Sequence, residues 1–268
     1  MPKAKANGFT LEYELRGKGA PLVLINGYRR SRQAWGDAFA QALASHFQLV
    51  LFDNRGTGGS DKPEGGYSIE GFADDTAGLL DALKLERAHV FGVSMGGMIA
   101  QRFAVRHGRR VHTLGIGCTH FGGKRVVRPG ETAWQLLQLK PGPGESLRDV
   151  ARKQEPVYFH PEFVRTQRTF IEAFYDRMEP FQPPTHVLKG HITAIEAFDG
   201  YDDLPRIAVP TLVITGDADK LIVPENSTIL AERIPGAKLV VLPQANHLFW
   251  LEKPQEAARA IVDFIGGA

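Results

Sequence analysis

The chain has 268 residues and one cysteine, Cys118, so no disulfide can close within it. Placed after the run HTLGIG, that thiol is expected to behave as a small buried apolar residue. Charge of one sign is lacking as well. Lys plus Arg total 32 and Asp plus Glu total 30, a net of +2, which supplies no strong pull toward nucleic acid or an anionic membrane. Uninterrupted apolar runs stay far short of the roughly 20 residues that cross a bilayer. The opening stretch MPKAKANGFTLEYEL carries two lysines but no apolar leader segment. A cytoplasmic protein without nucleic-acid or membrane partners is therefore expected, with its oligomeric state left open. Neither a His-x3-His nor a Cys-x2-Cys pair occurs, and there is no Walker sequence, so no metal and no cofactor are expected. A chain of this length buries roughly three quarters of its unfolded surface, and its core needs neither metal nor disulfide.

What is present is a strand–helix rhythm. FTLEYEL alternates apolar and polar residues, as a half-buried strand does. PLVLIN, FQLVLFD and AHVFGV are continuous apolar runs, as strands covered on both faces would be. Between them, residues 32–46 set Trp35, Phe39, Ala42 and Leu43 at helical spacing, and IEGFADDTAGLLDAL is amphipathic. MGGMIAQRFAVRHG reads as a helix and VHTLGIG as a further strand. The rhythm stops near residue 120 and returns at VPTLVITG, ENSTILAERIP, KLVVLP and KPQEAARAIVDFIGG. Residues 121–206 are rich in Pro and Gly, with helical stretches such as PEFVRTQRTFIEAFYDRM and HITAIEAFDGYDDL. The expected architecture is an α/β core over 1–120 and 207–268, with a mostly parallel sheet, and a helical cap inserted over 121–206.

Gly92-Val93-Ser94-Met95-Gly96 matches G-x-S-x-G between an expected strand and an expected helix. That context suits a sharp turn that lifts a serine Oγ above the sheet edge, with the next N–H facing the same spot. A serine needs a base, and the base needs an orienting acid. Nine histidines compete. His107 and His112 flank a helix–strand join, His89 opens the strand at the wrong end, and His160, His186 and His191 fall in the insertion. His247, in QANHLFW after the last strand, shares an edge with Ser94, because sites form at the C-terminal ends of parallel strands. The acid is sought in Gly216-Asp217-Ala218-Asp219-Lys220. Asp219, two residues further from the strand end, can turn toward His247, whereas Asp217 suits local backbone bonding. For the oxyanion, Met95 N–H is one donor and Tyr28 N–H, after Gly27, the other.

These pieces resemble the α/β-hydrolase superfamily over essentially the full chain, and within it the capped esterase, enol-lactonase and cofactor-free haloperoxidase-like branch. The matching segments are LINGY, FDNRGTGGSD, GVSMGGMIAQ, PTLVITGDAD and ANHLFWLEKP. The resemblance implies a sheet of about eight strands, Ser94 as nucleophile, Asp219 as acid, His247 as base, and Tyr28 and Met95 as oxyanion donors. It departs at Asn26, where the family carries a histidine before the oxyanion-loop glycine. The Gly-rich FDNRGTGGSDKP fails the G-x-G-x-x-G pattern, so Asp53 and Arg55 are expected to act structurally.

The expected activity is hydrolysis of a small-molecule carboxylic ester or lactone, with perhydrolysis as a side activity. Trp134, Leu136, Leu137, Phe163, Phe170 and Phe174 either line an apolar acyl pocket or pack the inserted helices onto the sheet. Arg29 and Arg30, with Lys124, Arg125 and Arg128, either read a substrate carboxylate or are ordinary solvated charge. The resemblance excludes the epoxide-hydrolase and haloalkane-dehalogenase classes, which place an aspartate where Ser94 stands. A C–C bond hydrolase of diketone-type substrates and a ligand sensor without turnover are the alternatives.

Overall fold

The structure is a computed structural model that describes every residue except Gln138 and Pro141, and only the backbone of Leu137. Eight strands form one sheet: β1 (Lys3–Ala6), β2 (Phe9–Arg16), β3 (Pro21–Ile25), β4 (Gln48–Phe52), β5 (Ala88–Val93), β6 (Val111–Gly117), β7 (Thr211–Gly216) and β8 (Lys238–Leu242). Their order is β1-β2-β4-β3-β5-β6-β7-β8. From β4 to β8 all neighbours run parallel, while β1–β2 and β2–β4 are antiparallel.

Alternation along the buried strands feeds two cores. Val23 and Ile25 of β3 pack with Val50 and Phe52 of β4 on one face, while Leu22, Leu24, Leu49 and Leu51 pack on the other. The first face is covered by α2 (Ile69–Ala82), α3 (Met95–His107) and α9 (Pro224–Arg233). Phe72 and Leu79 of α2, and Met98, Ile99 and Phe103 of α3, supply its interior. α1 (Asp37–Ala44) and α10 (Pro254–Gly266) cover the second face through Phe39, Leu43, Ala257 and Ile261. Ser68 starts α2 by accepting a 3.0 Å bond from Gly71 N–H.

Two local readings change. Residues 32–46 are not one helix: Arg32–Trp35 form a short 3-10 turn, and α1 begins at Asp37. Gly36 between them sits at φ 70°, outside any helix. β1 was not anticipated, although Asn7 (φ 49°) and Gly8 (φ 84°) are the Asn-Gly pair that closes a two-residue hairpin onto β2. PEFVRTQRTFIEAFYDRM is likewise two helices, interrupted at Gln167.

Between β6 and β7 stand α4 (Glu131–Leu137), α5 (Leu147–Tyr158), α6 (Pro161–Thr166), α7 (Arg168–Met178) and α8 (Thr185–Ala197). They are bonded to the sheet's loops rather than hung from them. His191 Nε2 lies 3.0 Å from the Arg55 carbonyl, and Leu248 N–H donates to Tyr158 O at 3.1 Å.

Asp53 and Arg55 are structural. Asp53 is fully buried, accepts from Arg32 N–H (2.7 Å) and Gly59 N–H (2.9 Å), and pairs with the Arg32 guanidinium. Arg55 pairs with Asp75 at 2.9 Å under the Phe9 ring. Removing one member of a buried pair strands the other charge. Arg55→Ala is expected to lower unfolding free energy by about 3–5 kcal/mol. Arg106→Ala, which breaks the half-exposed pair with Asp74, should cost under about 1 kcal/mol. Urea midpoints of the two variants check the contrast.

Candidate active site

β5 ends at Val93 and α3 begins at Met95, so the reversal falls on Ser94 alone, at φ 56° and ψ −125°. Such a conformation costs about 1–3 kcal/mol for a residue with a Cβ and persists only where its surroundings impose it. Ser94 N–H donates to Gly117 O at 2.9 Å, and its carbonyl accepts from Gly97 N–H (2.8 Å) and Thr119 Oγ (2.7 Å). The motif glycines are needed for room: a Cβ on Gly92 would lie 2.1 Å from Gly96 O, and one on Gly96 2.1 Å from Ile25 O. Helix start and β3 end therefore touch backbone to backbone. Among the described residues, Ser94 Oγ holds no hydrogen bond.

Asp219 leaves the loop after β7 and His247 the loop after β8. Both are buried, and His247 Nδ1 lies 2.9 Å from Asp219 Oδ2. Asp219 Oδ1 accepts from Leu221 N–H and Ile222 N–H, each at 2.9 Å, so the carboxylate cannot swing away. Asp217 instead faces the backbone of the next loop, accepting from Ala245 N–H at 3.4 Å. With Nδ1 committed to the carboxylate, Nε2 is the ring nitrogen free to exchange a proton.

Cys118 ties serine and histidine together. Its sulfur, an Asp219 oxygen and a His247 ring nitrogen lie within 4.8 Å of one another, and the Ser94 amide bears on the same thiol. Three such atoms can in principle share an ion. Burial, with Asp219 beside it, instead raises the thiol well above its ordinary pKa, which keeps it neutral. Cys118 was expected to be buried, and it is, but its contact with the site has no signal in the sequence.

The oxyanion loop lies against the serine: a Cβ on Gly27 would sit 2.9 Å from Ser94 Cβ. Among the described residues, the N–H groups of Tyr28 and Met95 carry no hydrogen bond. Met95 N–H is also the first of α3, where the helix dipole favours negative charge. Asn26, standing where the family has histidine, braces this loop. Its Nδ2 donates to Ser31 O at 3.0 Å, and its own carbonyl accepts from Asn54 Nδ2 at 2.9 Å.

Two further residues hold the histidine loop and were not singled out from sequence. Asn246 Oδ1 accepts from Lys220 N–H (3.0 Å) and His247 N–H (2.8 Å), while its Nδ2 donates to Phe159 O at 3.0 Å. One amide thus joins the acid loop, the base loop and the end of α5. Glu252 accepts from Asn246 N–H (2.6 Å) and His160 N–H (2.5 Å). His120, after β6, is pushed down to about 4 by burial, with the charges of Arg128 and His247 adding.

The anticipated pocket residues scatter. Phe163 and Phe170 line a groove of about 390 Å³ with Trp35, Trp250 and Leu251, and none of Ser94, Asp219 or His247 borders it. Trp134 is 46% exposed on α4, and Leu137's side chain lies outside the described residues. Phe174 is buried beneath the Arg30 guanidinium. Tyr158, not anticipated, stands 6.2 Å from the His247 ring, centroid to centroid.

A serine on a strained strand–helix turn, a histidine–carboxylate pair and two free amides thus lie at one edge of a mostly parallel sheet. The family pattern of the alpha/beta hydrolase fold matches residues 20–254, and the chain belongs to that family. It is 30% identical over 267 residues to RutD of Azorhizobium caulinodans, whose name proposes a carbamate hydrolase, covering 99% of this chain and 98% of the relative. A solved hydrolase from Pseudomonas aeruginosa is similar with TM-score 0.83 and 32% identity, covering 98% of this chain and 97% of that one. The enol-lactonase from Burkholderia xenovorans is similar with TM-score 0.83 and 28% identity, covering 99% and 100%. No helix of the described residues is long and apolar enough to cross a membrane.

Glu252 makes a pH prediction. Burial, aided by the charge of Asp219 and opposed by the His160 and Asn246 backbone donors, raises its carboxyl to about 7. The folded chain then holds this proton above the usual 4.5, so this group's share of stability is greatest below about 4.5 and is lost as pH rises to 7. The loss amounts to about 3 kcal/mol. Glu252→Gln should flatten the fall of urea stability across that window.

Proposed function

We propose that the protein is a serine hydrolase of carboxylic esters or lactones with a small to medium apolar acyl or alkyl part. The observation that carries this reading is the buried Asp219–His247 bond at 2.9 Å beside a serine held on a strained turn. In the proposed reaction His247 Nε2 takes the Ser94 proton as Oγ attacks the carbonyl carbon. The oxyanion is received by the Tyr28 and Met95 amides, and Asp219 holds the imidazole tautomer and steadies the imidazolium. The leaving alcohol takes the proton from His247. Water then attacks the acyl-Ser94 ester by the same route and releases the acid, and hydrogen peroxide in place of water would give a peracid. No cofactor is required for any of these steps.

Helices α4–α8 serve as a cap over this site, tied to it through Asn246 and Glu252. The substrate is a small molecule, and the setting proposed is cytoplasmic. Likeness to an enol-lactonase supports lactones alongside open esters.

The test is hydrolysis of p-nitrophenyl esters over a range of acyl lengths, and of an enol-lactone. Repeated turnover is expected in the wild type and its loss in Ser94→Ala. Asp219→Asn should fold normally and lower kcat by about 10⁴-fold, because the histidine tautomer is no longer imposed. A folded wild type that turns over no ester or lactone would move the reading to C–C bond hydrolysis or ligand sensing. Turnover that survives Ser94→Ala would remove the serine from the chemistry.

A further inference from the structure

Arg30 is set apart from the other deeply placed arginines by what it lacks. Arg32 holds Glu12 and Asp53, and Arg55 holds Asp75. Among the described residues, the Arg30 guanidinium pairs with no carboxylate and donates no hydrogen bond; its contact is the face of Phe174, 5.4 Å to the ring centroid. Its backbone N–H closes a turn onto Gly27 O at 3.3 Å, and Gly27 is the residue packed against Ser94. Tyr158, whose ring lies 6.2 Å from that of His247, also bears on this guanidinium. Arg30 is thus bracketed by the oxyanion loop on one side and the histidine's neighbour on the other.

Protein atoms crowd the Arg30 guanidinium enough that burial lowers its pKa to about 10, with the charge of Arg29 next in effect. Yet Arg30 keeps accessible surface, and its nitrogens are not among the polar atoms sealed from solvent without a partner. A cation that has lost much of its water and gained a single ring face is poorly compensated. What suits it is a flat, two-oxygen anion, because the guanidinium fork meets a carboxylate with two parallel N–H···O bonds.

We propose that Arg30 binds a carboxylate carried by the substrate, so that the preferred esters or lactones are anionic. Phe174 holds the guanidinium plane from behind, and the carboxylate docks beside the scissile carbonyl. Arg29, at φ 56°, turns the chain so that Arg30 rather than its neighbour meets Phe174. The inference rests on the ester and lactone reading above, and its test separates the two.

Two matched pairs are compared in the whole protein: p-nitrophenyl hexanoate with mono-p-nitrophenyl adipate, and phenyl acetate with 4-carboxyphenyl acetate. The wild type is expected to favour the acidic member of at least one pair by about 10- to 100-fold in kcat/KM, mostly through KM. Arg30→Gln should erase that preference while changing the neutral esters less than about threefold, Arg30→Lys should keep part of it, and Arg29→Gln should keep most of it. Absence of a preference in both pairs, or an equal fall for acidic and neutral esters in Arg30→Gln, overturns the proposal. If no ester is turned over, the hydrolase reading fails by itself, and calorimetry with monomethyl adipate decides on Arg30. Binding that weakens tenfold or more in Arg30→Gln sustains the carboxylate site, and no binding, or equal binding, removes it.

Discussion

The strained backbone of Ser94 is the constraint from which the site follows. A side-chain-bearing residue at φ 56° relaxes unless the chain on both sides is pinned. Here β5 is pinned by β3 and β6, α3 is pressed against the end of β3 at Gly96, and Thr119 ties the Ser94 carbonyl to the strand beyond. The strain is therefore stored by the sheet. Its return is a hydroxyl free of hydrogen bonds among the described residues, standing beside two amides that are also unbonded.

The histidine and its acid depend on a different kind of restraint. They come from neighbouring loops joined by two backbone bonds, Asp217 N–H to Leu242 O and Ala218 N–H to Ala245 O at 3.0 Å each, and side chains complete the tying. Asp219 spends one oxygen on two backbone amides and the other on His247, so its orientation is set before any substrate arrives. Asn246 and Glu252 bind the same loops to the end of α5 and the start of α6. The inserted helices and the loop of the base are thus joined by direct hydrogen bonds.

Much of the fold was legible because its signals are local. β3, β4 and β5 are apolar runs of the length a covered strand needs, and α2 carries both its cap Ser68 and its apolar stripe. The helix drawn through Trp35 failed because apolar spacing ran across Gly36, whose backbone lies outside the helical region. Phe163 and Phe170 look like pocket residues by composition, but they face a groove beside Trp35 and Trp250. Whether an apolar residue lines a site or a separate groove depends on how helices pack, and periodicity carries no information about that.

By itself the sequence determined the rhythm of the sheet, the turn that carries Ser94, and the two loops in which an acid and a base had to be sought. These are properties of short stretches, in which residue type and spacing limit the backbone directly. The choice of Asp219 over Asp217 was also legible, but tertiary structure alone decided that Cys118 lies against the Asp219–His247 pair and that Arg30 faces Phe174 without an anion. Each of these joins residues far apart in the chain, and their approach is set by the packing of whole elements, which no short stretch encodes.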